Sequence, residues 1–104
     1  FYVATRGHHA DIGGTVPGSA PAYSKHIKEE GILIDNFTLV SKGVFLEEEI
    51  YNLLNSGDFP ARNIKQNIAD LKAQVASAEK GAQELLEIIQ NYGNLKPIRN
   101  FSFR

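Results

Sequence analysis

Apolar residues recur along this chain with two different periods, and the change divides it at about residue 43. Before that point the pattern is extended and broken by turns. Phe1-Tyr2-Val3-Ala4-Thr5 is apolar, β-branched and aromatic, which predicts a short strand. It lacks strict alternation, so both of its faces are expected to be covered. Residues 13–23 hold Gly13, Gly14, Pro17, Gly18 and Pro21, a composition that sustains neither a helix nor a central strand. Residues 24–30 are charged and read as one helical turn ended by Gly31. Gly31-Ile32-Leu33-Ile34 and Phe37-Thr38-Leu39-Val40-Ser41 read as two short extended segments, with Asp35-Asn36 between them as a tight turn or a bulge. Lys42-Gly43 is a turn signal.

From Val44 the period becomes helical. Phe45, Ile50, Leu53 and Leu54 can share one face. Glu47, Glu48 and Glu49 fall in the first turn, where carboxylates suit the positive end of the helix dipole, and they read as solvated charges rather than metal ligands. Gly57 closes this helix as an αL cap. Asn63 then starts the longest element, as N-cap of an approximate capping box with Gln66. Apolar or small residues follow at 64, 68, 71, 75, 78, 82, 85, 89 and 92, alternating steps of four and three. That is a heptad seam. A helix from Asn63 to Tyr92 measures about 45 Å at about 1.5 Å per residue. Gly81 costs it roughly 1 kcal/mol without stopping it. Gly93 ends it, and Pro97 keeps it from restarting.

The expected fold is α+β: short strands and a long Gly/Pro loop, then a short helix and one very long helix over about 63–92. With 104 residues the chain has room for one small domain, read here as a single partial domain of something larger. The seam is one-sided, and the rest of the chain is too short and polar to cover it. Self-association through the long helix is therefore expected, about a two-fold axis where Ala78 and Ala82 let backbones approach. On this reading the chain is not a monomer.

Composition narrows the function classes. Net charge is −1 with both signs interspersed, so nothing argues for a nucleic-acid partner or an anionic membrane surface. There is no cysteine, hence no disulfide and no thiolate chemistry. No apolar run reaches the length of a membrane span, no signal-peptide pattern opens the chain, and the expected location is the cytoplasm. Phe1 in place of an initiator methionine implies numbering that starts inside a longer product, or after residues removed or not seen.

The candidate chemistry is concentrated in Arg6-Gly7-His8-His9-Ala10-Asp11-Ile12-Gly13-Gly14, which holds two of the three histidines. Imidazole and carboxylate side chains sit where a strand gives way to a glycine-permissive turn, a place where a rigid element aims side chains and a loop leaves them room. His8 and Asp11 could supply two ligands to Zn²⁺, Mn²⁺ or Fe²⁺. Spacing alone favours the plainer alternative, a His–Asp hydrogen bond that orients a ring or pins a loop. Arg6 is a candidate for binding a carboxylate or phosphate bidentately, with a surface ion pair as the plainer role. His26 follows Lys25 in a polar stretch and is expected in solvent. No Ser–His–Asp spacing, phosphate loop or zinc-finger pattern is present.

As words, these residues carry more. Arg6 to Gly14 followed by Pro17-Gly18-Ser19 resembles the hydantoinase B family, which includes the corresponding half of 5-oxoprolinase and subunits of acetone and acetophenone carboxylases. The resemblance continues through Glu29-Glu30-Gly31, Gly43-Val44-Phe45, Glu48-Glu49, Ser56-Gly57-Asp58 and Arg62-Asn63. It resumes in Gln66-Asn67-Ile68-Ala69-Asp70-Leu71-Lys72-Ala73-Gln74 and Lys80-Gly81, and covers roughly residues 1–93. Residues 94–104 diverge, because Pro97 forbids the helix that continues in family members; a truncated, frame-shifted or split gene would account for this tail.

The resemblance implies ATP-dependent hydrolysis of a cyclic amide, a hydantoin or 5-oxoproline, with a hydantoinase A-like subunit carrying the nucleotide site. It implies a divalent metal held partly by the first histidine of the His-His-x-Asp word, His8 here, with His9 and Asp11 as supporting or alternative ligands. The remaining ligands belong to an upstream Thr-His-x-x-Asp word that these residues lack. Asn67, Asp70 and Gln74 match the family's helical word, and Asp70 joins Arg6 as a candidate catalytic residue. The expectation is a segment inactive by itself, with a non-catalytic oligomeric module built on the long helix as the competing reading.

Overall fold

The computed structural model describes residues 1–92 and has mixed α and β structure: a four-residue helix, a two-stranded antiparallel hairpin, a short helix and a long one. Gly93, Pro97 and the divergent tail lie outside the described residues. The chain clusters into two compact units, one of residues 7–73 and one of which residues 1–6 and 74–92 are described.

In the first unit, α1 (Ile27–Glu30) is the single turn expected before Gly31, whose N–H donates to the Ile27 carbonyl at 3.1 Å. Lys42 and Gly43 both adopt positive φ, 52° and 78°, as a two-residue hairpin turn requires. They fold β1 (Val40–Ser41) against β2 (Val44–Phe45), with Val40 opposite Phe45 and Ser41 opposite Val44. The Leu46 N–H donates to the Leu39 carbonyl at 2.7 Å and prolongs the pairing. Here the turn corrects the sequence reading: Val44 and Phe45 are strand rather than the start of a helix. The helix α2 spans Glu47–Leu54 and opens on its three glutamates. Its C-cap is Asn55; Gly57 has the expected positive φ of 81° but lies two residues farther on.

The core of this unit is Ile50, Leu54, Ala61 and Ile68, all buried. Ile50 and Leu54 share the inner face of α2, one turn apart. Ile32, Phe37, Leu39, Phe45, Leu53, Ile64 and Leu71 pack around them. Each fully buried aliphatic side chain contributes about 1.5–3 kcal/mol. This core thus fixes α2 against the start of α3 (Ile64–Tyr92). Asn63 caps α3 by accepting from the Gln66 N–H at 3.3 Å. The Gln66 side chain does not complete the capping box; its Nε2 donates to Asp70 Oδ1 at 2.7 Å.

Two expected strands are corrected. Residues 1–5 and 31–34 are assigned no strand. A strand needs a partner ladder as well as β-favouring residues. Ile32 makes a single backbone bond, its N–H donating to the Ile12 carbonyl at 2.9 Å, and Leu33 and Ile34 are exposed.

In the second unit the small residues of α3 meet the chain's own N-terminal segment. A methyl added at Gly81 would sit 3.6 Å from Val3 Cγ1. Lys80 and Glu84 form an exposed i,i+4 pair at 3.5 Å. Among the described residues no helix is long and apolar enough to cross a membrane.

Candidate functional site

The stretch from Asp11 to Ser19 is a loop whose shape is dictated by two glycines and one carboxylate. Gly13 and Gly14 are buried and sit at φ +100° and +95°, in the left-handed region that side chains rarely adopt. A Cβ at Gly13 would collide with the Phe59 carbonyl, and one at Gly14 would lie 2.5 Å from the Glu29 carbonyl oxygen. That close approach lets the backbone bond on both sides. The Gly14 N–H donates to Phe59 O at 3.0 Å and the Thr15 N–H to Glu29 O at 2.8 Å. Ser19 closes the loop: its Oγ accepts from the Ile12 N–H at 2.9 Å and donates to the Gly13 carbonyl at 2.6 Å.

Asp11 organises what remains. Its Oδ1 accepts from the Gly13 N–H at 2.9 Å and its Oδ2 from the Gly18 N–H at 2.8 Å. The Arg62 guanidinium lies against both oxygens, Nη1 at 3.2 and 3.1 Å, while Nη2 donates to the Gly14 carbonyl at 2.7 Å. Partial burial of the Asp11 carboxyl works to raise its pKa. The Gly13 and Gly18 N–H groups and the charge of Arg62 outweigh that and hold it below the ordinary carboxylate value. From the helix side, buried Asn67 donates its amide to the Asp11 carbonyl at 2.9 Å. Arg62 and Asn67 flank the N-terminus of α3, so the same cap that starts the helix places both of them at the loop.

The two histidines just before the loop are held far less. His8 is exposed. His9 is partly covered, and its Nδ1 lies 4.0 Å from Asp70 Oδ2 on α3. Arg6 is exposed and belongs to the other unit. His26 is exposed at the N-cap position of α1, where Glu29 Oε2 accepts from the Lys25 N–H at 2.6 Å. Of the three glutamates, Glu47 pairs with Lys72 at 2.7 Å.

A divalent metal needs at least three converging protein ligands in most sites. Among the described residues no three His, Cys, Asp or Glu side chains converge in that way. Both oxygens of Asp11 are engaged by N–H donors and a guanidinium, which a cation would have to displace. His8, His9 and Asp11 as placed therefore do not form a metal shell by themselves. Of the alternatives that spacing left open, the loop-pinning role falls to Asp11, with Arg62 as its partner rather than a histidine.

Arg62 is the residue that sequence reasoning left without a role. It stands 51 positions from Asp11, so no local spacing links them. The available signal was indirect: a carboxylate in a glycine-rich loop needs compensation, and Arg62 directly precedes the cap of the helix that packs there.

Comparison with known proteins follows the same residues. The family profile for hydantoinase B/oxoprolinase matches residues 1–97. The chain is 48% identical over 93 residues to the 5-oxoprolinase of Dictyostelium discoideum, covering 89% of this chain and 7% of that protein. It is 45% identical over 104 residues to 5-oxoprolinase 1 of Arabidopsis thaliana, covering 89% of this chain and 8% of the relative. Similarity to the caprolactamase subunit beta of Pseudomonas jessenii is 33% over 93 residues, 89% of this chain and 15% of that subunit. The chain thus spans less than a tenth of the two 5-oxoprolinases. No solved structure matches it.

Proposed function

Because the chain belongs to the hydantoinase B/oxoprolinase family over residues 1–97, we propose that it carries part of the site of an ATP-dependent cyclic amide hydrolase acting on 5-oxoproline or a hydantoin. The observation that carries this reading is the braced loop: Asp11, Arg62 and Asn67 rigidify residues 11–19 and leave His8 exposed at its mouth. Rigid support behind an accessible imidazole is what a binding or catalytic position needs. Any divalent ion at this word would take His8 as one ligand and need the others from elsewhere in the assembly. The relative named as a subunit supports a further element of the proposal, a hydantoinase A-like partner that brings ATP. Alone, the 104 residues should not turn over substrate.

The test is a chimera in which residues 1–92 replace the matching segment of the Dictyostelium enzyme, assayed for ATP-dependent 5-oxoproline hydrolysis. The reading expects activity in the chimera, at least a hundredfold loss with His8→Ala, and no turnover by the isolated chain. A folded chimera indifferent to His8→Ala contradicts it.

One observation favours the interaction-module reading as a second role. Along α3 only Asn67 and Ile68 are buried; the other seam residues from Ile64 to Ile89 are half-buried, and Tyr92 is exposed. A seam left half-covered still offers apolar surface that can pair with another copy. Sedimentation tests it: a concentration-independent 11.5 kDa species would rule self-association out.

A further inference from the structure

Two buried polar side-chain atoms in this region have no hydrogen-bond partner: Nδ1 of His9 and Oδ1 of Asn67. A buried polar atom left unpaired destabilises the fold, so each one points to a partner not yet engaged. For His9 a candidate acceptor is in place. Asp70 Oδ2 lies 4.0 Å from Nδ1, beyond a hydrogen bond but within reach of a side-chain rotation. Asp70 is 43% exposed and so has room to rotate. Its other oxygen is already set, because Gln66, one turn earlier on α3, donates its amide to Oδ1 at 2.7 Å. Asn67, between them on the helix, holds the Asp11 carbonyl two residues beyond His9. One turn of α3 therefore holds the Asp11 end of the stretch 9–11 and places a carboxylate near its His9 end. Asp11, the carboxylate two residues after His9, is committed to Gly13, Gly18 and Arg62.

We propose that Asp70 is the positioning residue for His9: its carboxylate accepts the Nδ1–H, fixes the ring tautomer and leaves Nε2 bare as the nitrogen the site presents. A histidine's working nitrogen is set by the hydrogen bond that the other nitrogen makes. Gln66 supports the pair by orienting the Asp70 carboxylate. The pairing itself stands apart from the family's activity; only the use made of Nε2, as ligand or as base toward a cyclic amide, rests on that reading.

Long-range ¹H–¹⁵N correlation of the imidazoles in the ¹⁵N-labelled chain tests it. His9 is expected as the Nδ1–H tautomer, with exposed His8 and His26 as references in the Nε2–H form usual in solution. In Asp70→Ala, the His9 Nδ1 resonance should move from the protonated to the unprotonated range and Nε2 the opposite way, with the references unchanged. Asp70→Glu should restore part of the shift. Backbone amide spectra show whether each variant is folded, and the wild-type spectrum needs no variant. An Nε2–H tautomer at His9 in the wild type overturns the proposal, as does a folded Asp70→Ala whose His9 signals do not move. The readout is the ring itself, so a chimera without turnover would count against the proposed function and not against this pairing.

Discussion

Residues 7–9 and 11–19 are separated only by Ala10 and differ in almost every physical respect. The longer stretch bonds through its backbone to the Phe59 and Glu29 carbonyls, closes on itself through Ser19, and is clamped by Arg62 and Asn67. Its neighbour exposes His8 and leaves His9 with one carboxylate at 4.0 Å. The contrast shows how the labour is divided within one short word. The Asp and Gly residues build the scaffold, and the histidines are left available for whatever the site binds. Both Asp11 oxygens are engaged by the scaffold it holds.

The contrast can be broken most severely from the scaffold side. Gly13→Ala adds a methyl against the Phe59 carbonyl at a backbone angle of +100°, and should cost about 3 kcal/mol of stability in urea unfolding. Next comes Arg62→Ala, which strands a carboxylate that is 17% exposed and frees the Gly14 carbonyl. Because the guanidinium is itself 37% exposed, solvent screening limits the loss to about 1–2 kcal/mol.

Acidity sharpens the same point. The Gly13 and Gly18 N–H groups and Arg62 hold the folded-state pKa of Asp11 below the ordinary carboxylate value. Its contribution is therefore fully present above about 3.8 and is lost as pH falls through the folded value. The stability gap between wild type and Asp11→Asn should be constant near neutrality and shrink in acid below the ordinary carboxylate range. A gap that grows on acidification would contradict this assignment. The smallest effect belongs to the other region: His8→Ala should change stability by less than about 0.5 kcal/mol, as expected at an exposed position.

Legibility in the sequence tracks how local each determinant is. The long helix was readable because its seam repeats and Asn63 caps it; the bounds 64–92 fall within a residue of the expectation. The turn at Lys42-Gly43 was readable too, but its consequence was not, since positive φ at both residues draws Val44 and Phe45 into a strand before the helical period can begin. Residues 1–5 have strand chemistry and no ladder, and pairing is not written in propensity. In the site, the loop-forming glycines were visible. The Asp11–Arg62 brace joins positions 51 apart, and His9 meets Asp70 only through the packing of the α3 N-terminus. Such pairings are set by the fold and have no signature in spacing.

The central claim is that Asp11 and Arg62 act as one brace behind the histidines. A double-mutant cycle measures it directly, with urea unfolding of wild type, Asp11→Asn, Arg62→Ala and the double variant. The account predicts a coupling of about 1 kcal/mol, with the double variant losing clearly less than the sum of the singles. Additivity to within about 0.3 kcal/mol would show that the two residues act independently, and would contradict it.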